Sequence, residues 1–141
     1  MVDHLTPYNL GLYHGRRVRE VGTEKVYLIE NYKVRHIVHP TVYNALFRDW
    51  DDIQDVQFDG VSEWYPINYG TGLTRFSYPT NPNVHLTAIY WIDDIGGYTK
   101  RWINNEQTMD HFHFIKEDLP IACGYFFDAL PNGTGVTTLG R

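Results

Sequence analysis

"VYLIENYKVRHI", residues 26–37, sets apolar side chains on alternate positions, breaks at Glu30–Asn31 and resumes with a basic second half. Period-two alternation is the pattern of a strand with two unlike faces. "KVYLI" therefore predicts a strand with Val26, Leu28 and Glu30 on one face and Tyr27 and Ile29 on the other. "YKVRHIVH" predicts its antiparallel partner, and the polar break closes the hairpin. A related string, "IYWIDDIGGYTKRWI", stands at residues 89–103.

Aligning the two strings pairs Val26, Tyr27, Ile29 and Glu30 with Ile89, Tyr90, Ile92 and Asp93 at an offset of 63. Tyr32, Arg35 and Ile37 then pair with Tyr98, Arg101 and Ile103 at an offset of 66. The extra residues fall at the turn, where insertions cost least and where Gly96–Gly97 supply the positive φ of a tight connection. Further on, Phe47 and "DDI" (51–53) face Phe112 and "EDL" (117–119), and "GTGL" (70–73) faces "GTGV" (133–136). Ordered anchors with gaps at loops indicate an internal duplication.

After the first hairpin, Pro40 stands at a helix N1 position before "TVYNALF", with Val42, Tyr43, Leu46 and Phe47 on one side. "NNEQTMDHFHF" is the counterpart, with Asn104 or Asn105 as cap and Met109 and Phe112 inward. The expected fold class is α+β and β-rich: two tandem copies of a β-hairpin plus a short helix and a returning edge segment, sharing one compact core. The expected layout is an N-terminal arm (1–14), repeat unit 1 (15–73), a loop or arm (74–87), repeat unit 2 (88–138) and a C-terminal tail (139–141). The Pro- and Asn-rich "FSYPTNPNVH" (76–85) carries the loop assignment.

The first hairpin, the Pro-opened helix, "F..DWDDIQDV" and the closing Pro…"GTGL" resemble a tandem repeat of bacterial and archaeal exported and cell-surface proteins, whose hairpin reads as a "VYLIENGKKRHI"-type string. The resemblance covers residues 15–73 well and 84–138 loosely, with Trp102 in place of His36. It implies an accessory, non-catalytic module and carries no catalytic residues to these positions. The chain departs from that family in lacking a basic segment followed by an apolar one at its start.

Across 141 residues, 43% are hydrophobic, 21% charged and 16% aromatic, a globular balance weighted toward strands. The net charge is −5, and no Lys/Arg run exceeds Arg16–Arg17 or Lys100–Arg101. Binding a phosphate backbone needs clustered cations, so nucleic acid is not an expected partner. No apolar run approaches the ~20 residues of a membrane helix, so no membrane insertion is expected. The single cysteine, Cys123 in "IACGYFF", is read as a buried thiol without a disulfide.

Among seven histidines, His36 and His39 are three apart and His111 and His113 two apart. The second pair could ligate from one strand face, but neither spacing completes a zinc set, so surface or hydrogen-bonded histidines are expected and no metal or other cofactor. Asp49, Asp51, Asp52, Asp55 and Asp59 do not fall in a calcium-loop register and read as caps and a solvated face. No nucleophile elbow, zinc helix, phosphate loop or dinucleotide fingerprint occurs, so no enzyme activity is expected. "NGT" (132–134) fits a glycosylation sequon that an unexported chain would not use.

The aromatic residues carry the functional expectation. "SEWYPINY" (62–69) places Trp64, Tyr65 and Tyr69 in a loop, and "GYFFDALP" (124–131) is taken as its counterpart. Such rings on a loop suit a partner surface. The candidate binding residues are Trp64, Tyr65, Tyr69, Tyr78, Trp91 and Trp102. They fit a structural or interaction protein of a larger assembly, such as a phage decoration or tail protein located in the virion. Protein neighbours, a homo-oligomer included, and the arm at 76–85 would then make the contacts. The alternative is an extracellular, cell-surface carbohydrate-binding module in which the rings stack on glycans.

Overall fold

A computed structural model describes residues 2–77, 87–122 and 124–138. Tyr78, Cys123, most of the 76–85 arm and the 139–141 tail lie outside the described residues. The fold is mixed α+β and β-rich, with two sheets. The first runs β1 (Asp3–Leu5), β5 (Gln54–Phe58), β2 (Arg17–Glu20), β3 (Val26–Glu30) and β4 (Lys33–His36), in that spatial order. The second runs β6 (Gly72–Ser77), β7 (Thr87–Asp94) and β8 (Tyr98–Ile103). Three short helices complete it: α1 (Pro40–Leu46), α2 (Glu106–Phe112) and α3 (Gly124–Ala129).

Both hairpins form where the alternation places them. β3 pairs with β4 from Tyr27–His36 to Glu30–Lys33, and β7 pairs with β8 from Ile89–Ile103 to Asp94–Tyr98. The first turn sits one residue later than the polar break suggested: Asn31 (φ 52°) and Tyr32 (φ 63°) make it, and Glu30 ends β3 as a buried residue. Two successive left-handed residues match the twist of the flanking strands. In the second turn Gly96 and Gly97 take the positive φ, and Asp94 Oδ1 accepts the Gly97 N–H at 2.8 Å.

The faces of β3 divide as expected. Val26 and Leu28 join the larger core, with α1, α2, Trp91 and Ile103. Tyr27 and Ile29 join a smaller core with Leu5, Leu10, Val18 and Val56. Burial, reinforced by Glu63 and Glu20, pushes the Tyr27 phenol up to about 12 from its ordinary 10.0. A raised pKa stabilises the fold fully below pH 10 and loses that contribution between pH 10 and about 12. Tyr27→Phe should therefore leave neutral-pH stability nearly unchanged and flatten the alkaline decline by about one proton, ~1.4 kcal/mol per pH unit. Denaturant midpoints measured from pH 9 to 12 check this; an unchanged slope refutes it.

The larger core draws on both halves of the chain. Phe112 lies 5.2 Å from Phe114, which lies 5.6 Å from Phe47. The backbone joins there too: Ile115 N–H donates to Leu46 O at 2.9 Å and Arg48 N–H to His113 O at 3.0 Å. His39 caps α1, its ring accepting the Thr41 N–H, with Pro40 at the first helical position. Asn105 is the α2 cap, accepting the Thr108 N–H at 2.9 Å, while Asn104 takes the Thr108 hydroxyl.

Several expectations are corrected. The N-terminal segment is not an arm: β1 lies parallel to β5, with Asp3 opposite Val56, and Leu10–Tyr13 form a 3₁₀ turn over the smaller core. β5 is no edge, since it sits between β1 and β2. Residues 72–77 are not loop but β6, paired with β7 throughout, so the second sheet begins before residue 73. "GTGL" and "GTGV" are not equivalent: Leu73 lies in β6 opposite Trp91, whereas Val136 bridges Ile103 from an irregular segment. "GYFFDA" is helix α3, not a loop.

Asp52 (φ 62°) and Asp118 (φ 57°) are both left-handed. A β-branched residue is badly placed there, so Asp52→Val and Asp118→Val should each cost about 1–2 kcal/mol, while glycine at either site costs nothing. Urea denaturation of the four variants reads this directly.

Candidate functional site

Where the two sheets meet, four charged side chains are buried together: Glu30 at the end of β3, Arg35 in β4, Asp93 in β7 and Arg101 in β8. Each reaches this place because alternation aims it at the interior, on the faces that also carry Leu28 and Trp91. Arg35 holds Asp93 bidentately, Nη1 to Oδ2 at 2.7 Å and Nη2 to Oδ1 at 2.8 Å. Arg101 holds Glu30 bidentately, Nη1 to Oε1 at 2.9 Å and Nη2 to Oε2, and also reaches Asp93 Oδ2 at 2.9 Å. Two cations meet two anions, so the cluster is neutral. Burial opposes the Arg101 charge, but Glu30 and Asp93 outweigh it and hold its pKa above the ordinary guanidinium value.

Trp91 packs beside both guanidinium groups, its ring centroid 4.7 Å from the Arg101 carbon and 5.3 Å from that of Arg35. Its indole N–H donates to Thr71 Oγ1 at 2.7 Å, and the Thr71 hydroxyl donates to Ile92 O at 2.7 Å. Trp91 thus has no exposed surface. This corrects its assignment as a binding residue: β7 turns it inward with Ile89, and only the alternate positions face out.

The cluster also pins the aromatic loop. Arg35 Nε donates to Tyr65 O at 2.9 Å, and the backbone of the loop is stitched to β4 by Trp64 N–H to Val34 O and Ile67 N–H to His36 O, both 2.8 Å. With its backbone fixed, the loop holds Trp64, Tyr65 and Tyr69 at the surface. Trp64 meets Tyr65 edge-on at 5.2 Å and lies 5.2 Å from the Lys33 ammonium. Tyr98, outward on β8, joins them, its hydroxyl donating to Tyr69 O at 3.0 Å. The positive φ of Gly70 (88°) is what requires glycine there; a Cβ would also press on the Tyr98 hydroxyl, which can shift aside. The opposite guanidinium makes the matching contact: Arg101 Nε donates to Thr134 O at 2.8 Å. The segment there is "NGTGV", without rings, and "GYFFDALP" is not its counterpart.

Of the sequence candidates, Trp64 and Tyr65 are in ring contact, while the Tyr69 ring packs against His39 at 5.8 Å and its carbonyl takes the Tyr98 hydroxyl. Trp102 is half-exposed on the same outward face of β8 as Tyr98, roughly 13 Å farther along. Exposed apolar side chains elsewhere among the described residues include Tyr8 and Leu12, Val21, Tyr32, Trp50, and Ile121 with Tyr125 and Phe126. No single motif marks the four buried charges as a group; the alignment pairs Glu30 with Asp93 and Arg35 with Arg101, and that recurrence on apolar-faced strands is their one sequence signal.

His111 and His113 have protein partners. His111 Nε2 lies 2.6 Å from His14 O, and His113 Nε2 2.5 Å from Asp49 Oδ1. The two do not share a strand face, since His111 lies in the last turn of α2 and His113 is its left-handed cap. An N–H from Asp51, together with His113, holds the Asp49 carboxyl below the usual range. Among the described residues no three His, Cys, Asp or Glu side chains converge on a metal-sized site, and no helix is long and apolar enough to cross a membrane. No protein-family model, curated protein or solved structure matches this chain.

Proposed function

We propose that the chain is a non-catalytic structural and interaction protein of a larger assembly, a virion accessory such as a capsid decoration or tail protein. The observation that carries this reading is the exposure of large apolar side chains on three separate segments: Tyr8 with Leu12, Trp64 with its tyrosine neighbours, and Ile121 with Tyr125 and Phe126. Solvent-facing rings are costly unless something covers them, and several patches suit a component touched by several neighbours. The loop at 62–69 is fixed before binding, which lowers the entropy lost on contact.

The scaffold is read as two copies of one unit. Supporting this, β4 and β8 are each bridged in parallel by a later segment, Ile37 with Ile67 and Ile103 with Val136. β2 and β6 receive similar parallel neighbours, Arg19 opposite Asp55 and Arg75 opposite Ile121. The buried charges cross between the halves, each arginine held bidentately by the other half's carboxylate. The resemblance to the tandem repeat of surface proteins agrees with this reading.

A second reading, a cell-surface carbohydrate-binding module, is favoured by the exposed Trp64–Tyr65 ring pair on a loop bonded to β4, with Tyr98 joined to the same loop at Tyr69 O. The two separate by experiment. Assembly predicts concentration-dependent mass in sedimentation, reversed by Tyr125→Asp with Phe126→Asp, and recovery with a particle in repeating copies. A monomer at every concentration, absent from any particle fraction, with glycan binding abolished by Trp64→Ala, would sink the assembly reading.

A further inference from the structure

A cleft of about 850 Å³ opens between the β2–β3 turn, the end of β4 and α1, with His39 at its rim packed against Tyr69 of the 62–69 loop, ring centroids 5.8 Å apart. Its size falls in the range of small-molecule sites, roughly 300–1,000 Å³. Trp50 lies in it with its ring stacked on Tyr43, centroids 3.8 Å apart and planes at 20°. The indole N–H donates to Asn44 Oδ1 at 2.9 Å. One face and the N–H are thereby spent, yet the side chain remains 45% exposed. The result is an indole held in one orientation with surface to offer.

The surroundings of Trp50 select the ligand. Arg19, in the same wall, is engaged by Asp55 at 2.8 Å. The other charges lining the cleft are Lys25 and Glu24, which balance. An ionic ligand finds no net charge there. Hydrogen-bonding groups of both kinds are present. Burial pushes the His36 imidazole pKa down, so at neutral pH its ring offers one donor and one acceptor. His39 accepts the Thr41 N–H through Nδ1, which leaves Nε2–H to donate.

We infer that this cleft binds a short neutral oligosaccharide, one pyranose ring lying with its C–H face on Trp50 and its hydroxyls bonded by His36, His39, Lys25 and Glu24. The electropositive C–H hydrogens of a sugar face complement the negative face of the indole. Hydroxyls, which donate and accept, suit the mixed rim. The site does not rest on either reading proposed above: its platform, Trp50, belongs to none of those surfaces, and only His39 at the rim touches one of them, at Tyr69.

The test is a titration of ¹⁵N-labelled full-length protein with cellotriose, chitotriose and maltotriose, each to ~10 mM, enough to fill a ~1 mM site to about nine-tenths. At least one should shift the Trp50 indole N–H together with the amides of Thr23–Lys25 and His36. Trp50→Ala should weaken that binding at least tenfold. Lys25→Ala, whose exposed amine makes no hydrogen bond among the described residues, should weaken it several-fold without moving the melting temperature. Trp64→Ala should leave it unchanged. If Trp50→Ala fails to fold, the wild-type shift map and Lys25→Ala decide. Silence with all three sugars, shifts confined to residues 62–69, or full binding in Lys25→Ala overturns the proposal. Particle association is measured separately, so its failure and this one are distinguishable.

Discussion

Arg101→Ala should destabilise the protein by about 3–5 kcal/mol, a large part of the roughly 5–15 kcal/mol that holds an ordinary domain together. The reason is what remains behind. Glu30 and Asp93 are buried, and Arg101 donates to both. Removing it leaves Glu30 without its bidentate partner, facing only Arg35 Nη1 at 3.8 Å. The Thr134 carbonyl loses its donor as well. Arg101→Lys should rescue little, because a single ammonium cannot reproduce a planar fork that serves two carboxylates and a carbonyl. Pairing Arg101→Ala with Glu30→Ala should cost clearly less than the sum of the single changes, since the second removes the stranded charge. Denaturant unfolding of the four proteins measures this. A loss under ~1 kcal/mol for Arg101→Ala, or strict additivity, would show that the cluster is not a coupled unit.

Trp91→Ala should cost a comparable amount, about 3–5 kcal/mol. The indole is wholly buried in the larger core, contacts Phe114 at 5.6 Å, and separates the arginine pair from the aliphatic interior. Truncation opens a cavity beside two guanidinium groups and removes the hydrogen bond to Thr71. Trp91→Phe keeps most of the apolar contact and should cost about 1–2 kcal/mol, chiefly the lost indole hydrogen bond to Thr71 and the weaker cation–π contact. Trp64→Ala, by contrast, removes a surface ring and should change stability by about 0.5 kcal/mol or less. If Trp91 and Trp64 behaved alike, the division of the tryptophans between core and surface would be wrong.

Much of this could be seen in the chain before any coordinates. Alternation located both hairpins, glycine located the second turn, and Pro40 and the Asn104–Asn105 pair marked where α1 and α2 begin. These are local effects: backbone sterics, capping and the two-residue period act between neighbours in sequence. The site was less visible. Trp64, Tyr65 and Tyr69 stood out because rings in a Pro-containing loop have few ways to be buried. Trp91 and Trp102 looked equivalent, because a strand's alternation separates two faces without saying which one a second layer will cover.

Residues that neighbour one another along the chain settled the strands, the turns and the helix starts, since those depend on forces that reach a few positions at most. Only the packed molecule decided the rest. β1 is three residues long and finds its parallel partner some 50 positions away, a pairing no local pattern encodes. Glu30, Arg35, Asp93 and Arg101 look like solvated charges in a linear reading. They become an interior neutral cluster because two hairpins present them to the same point, where each charge is compensated by a residue from the other half.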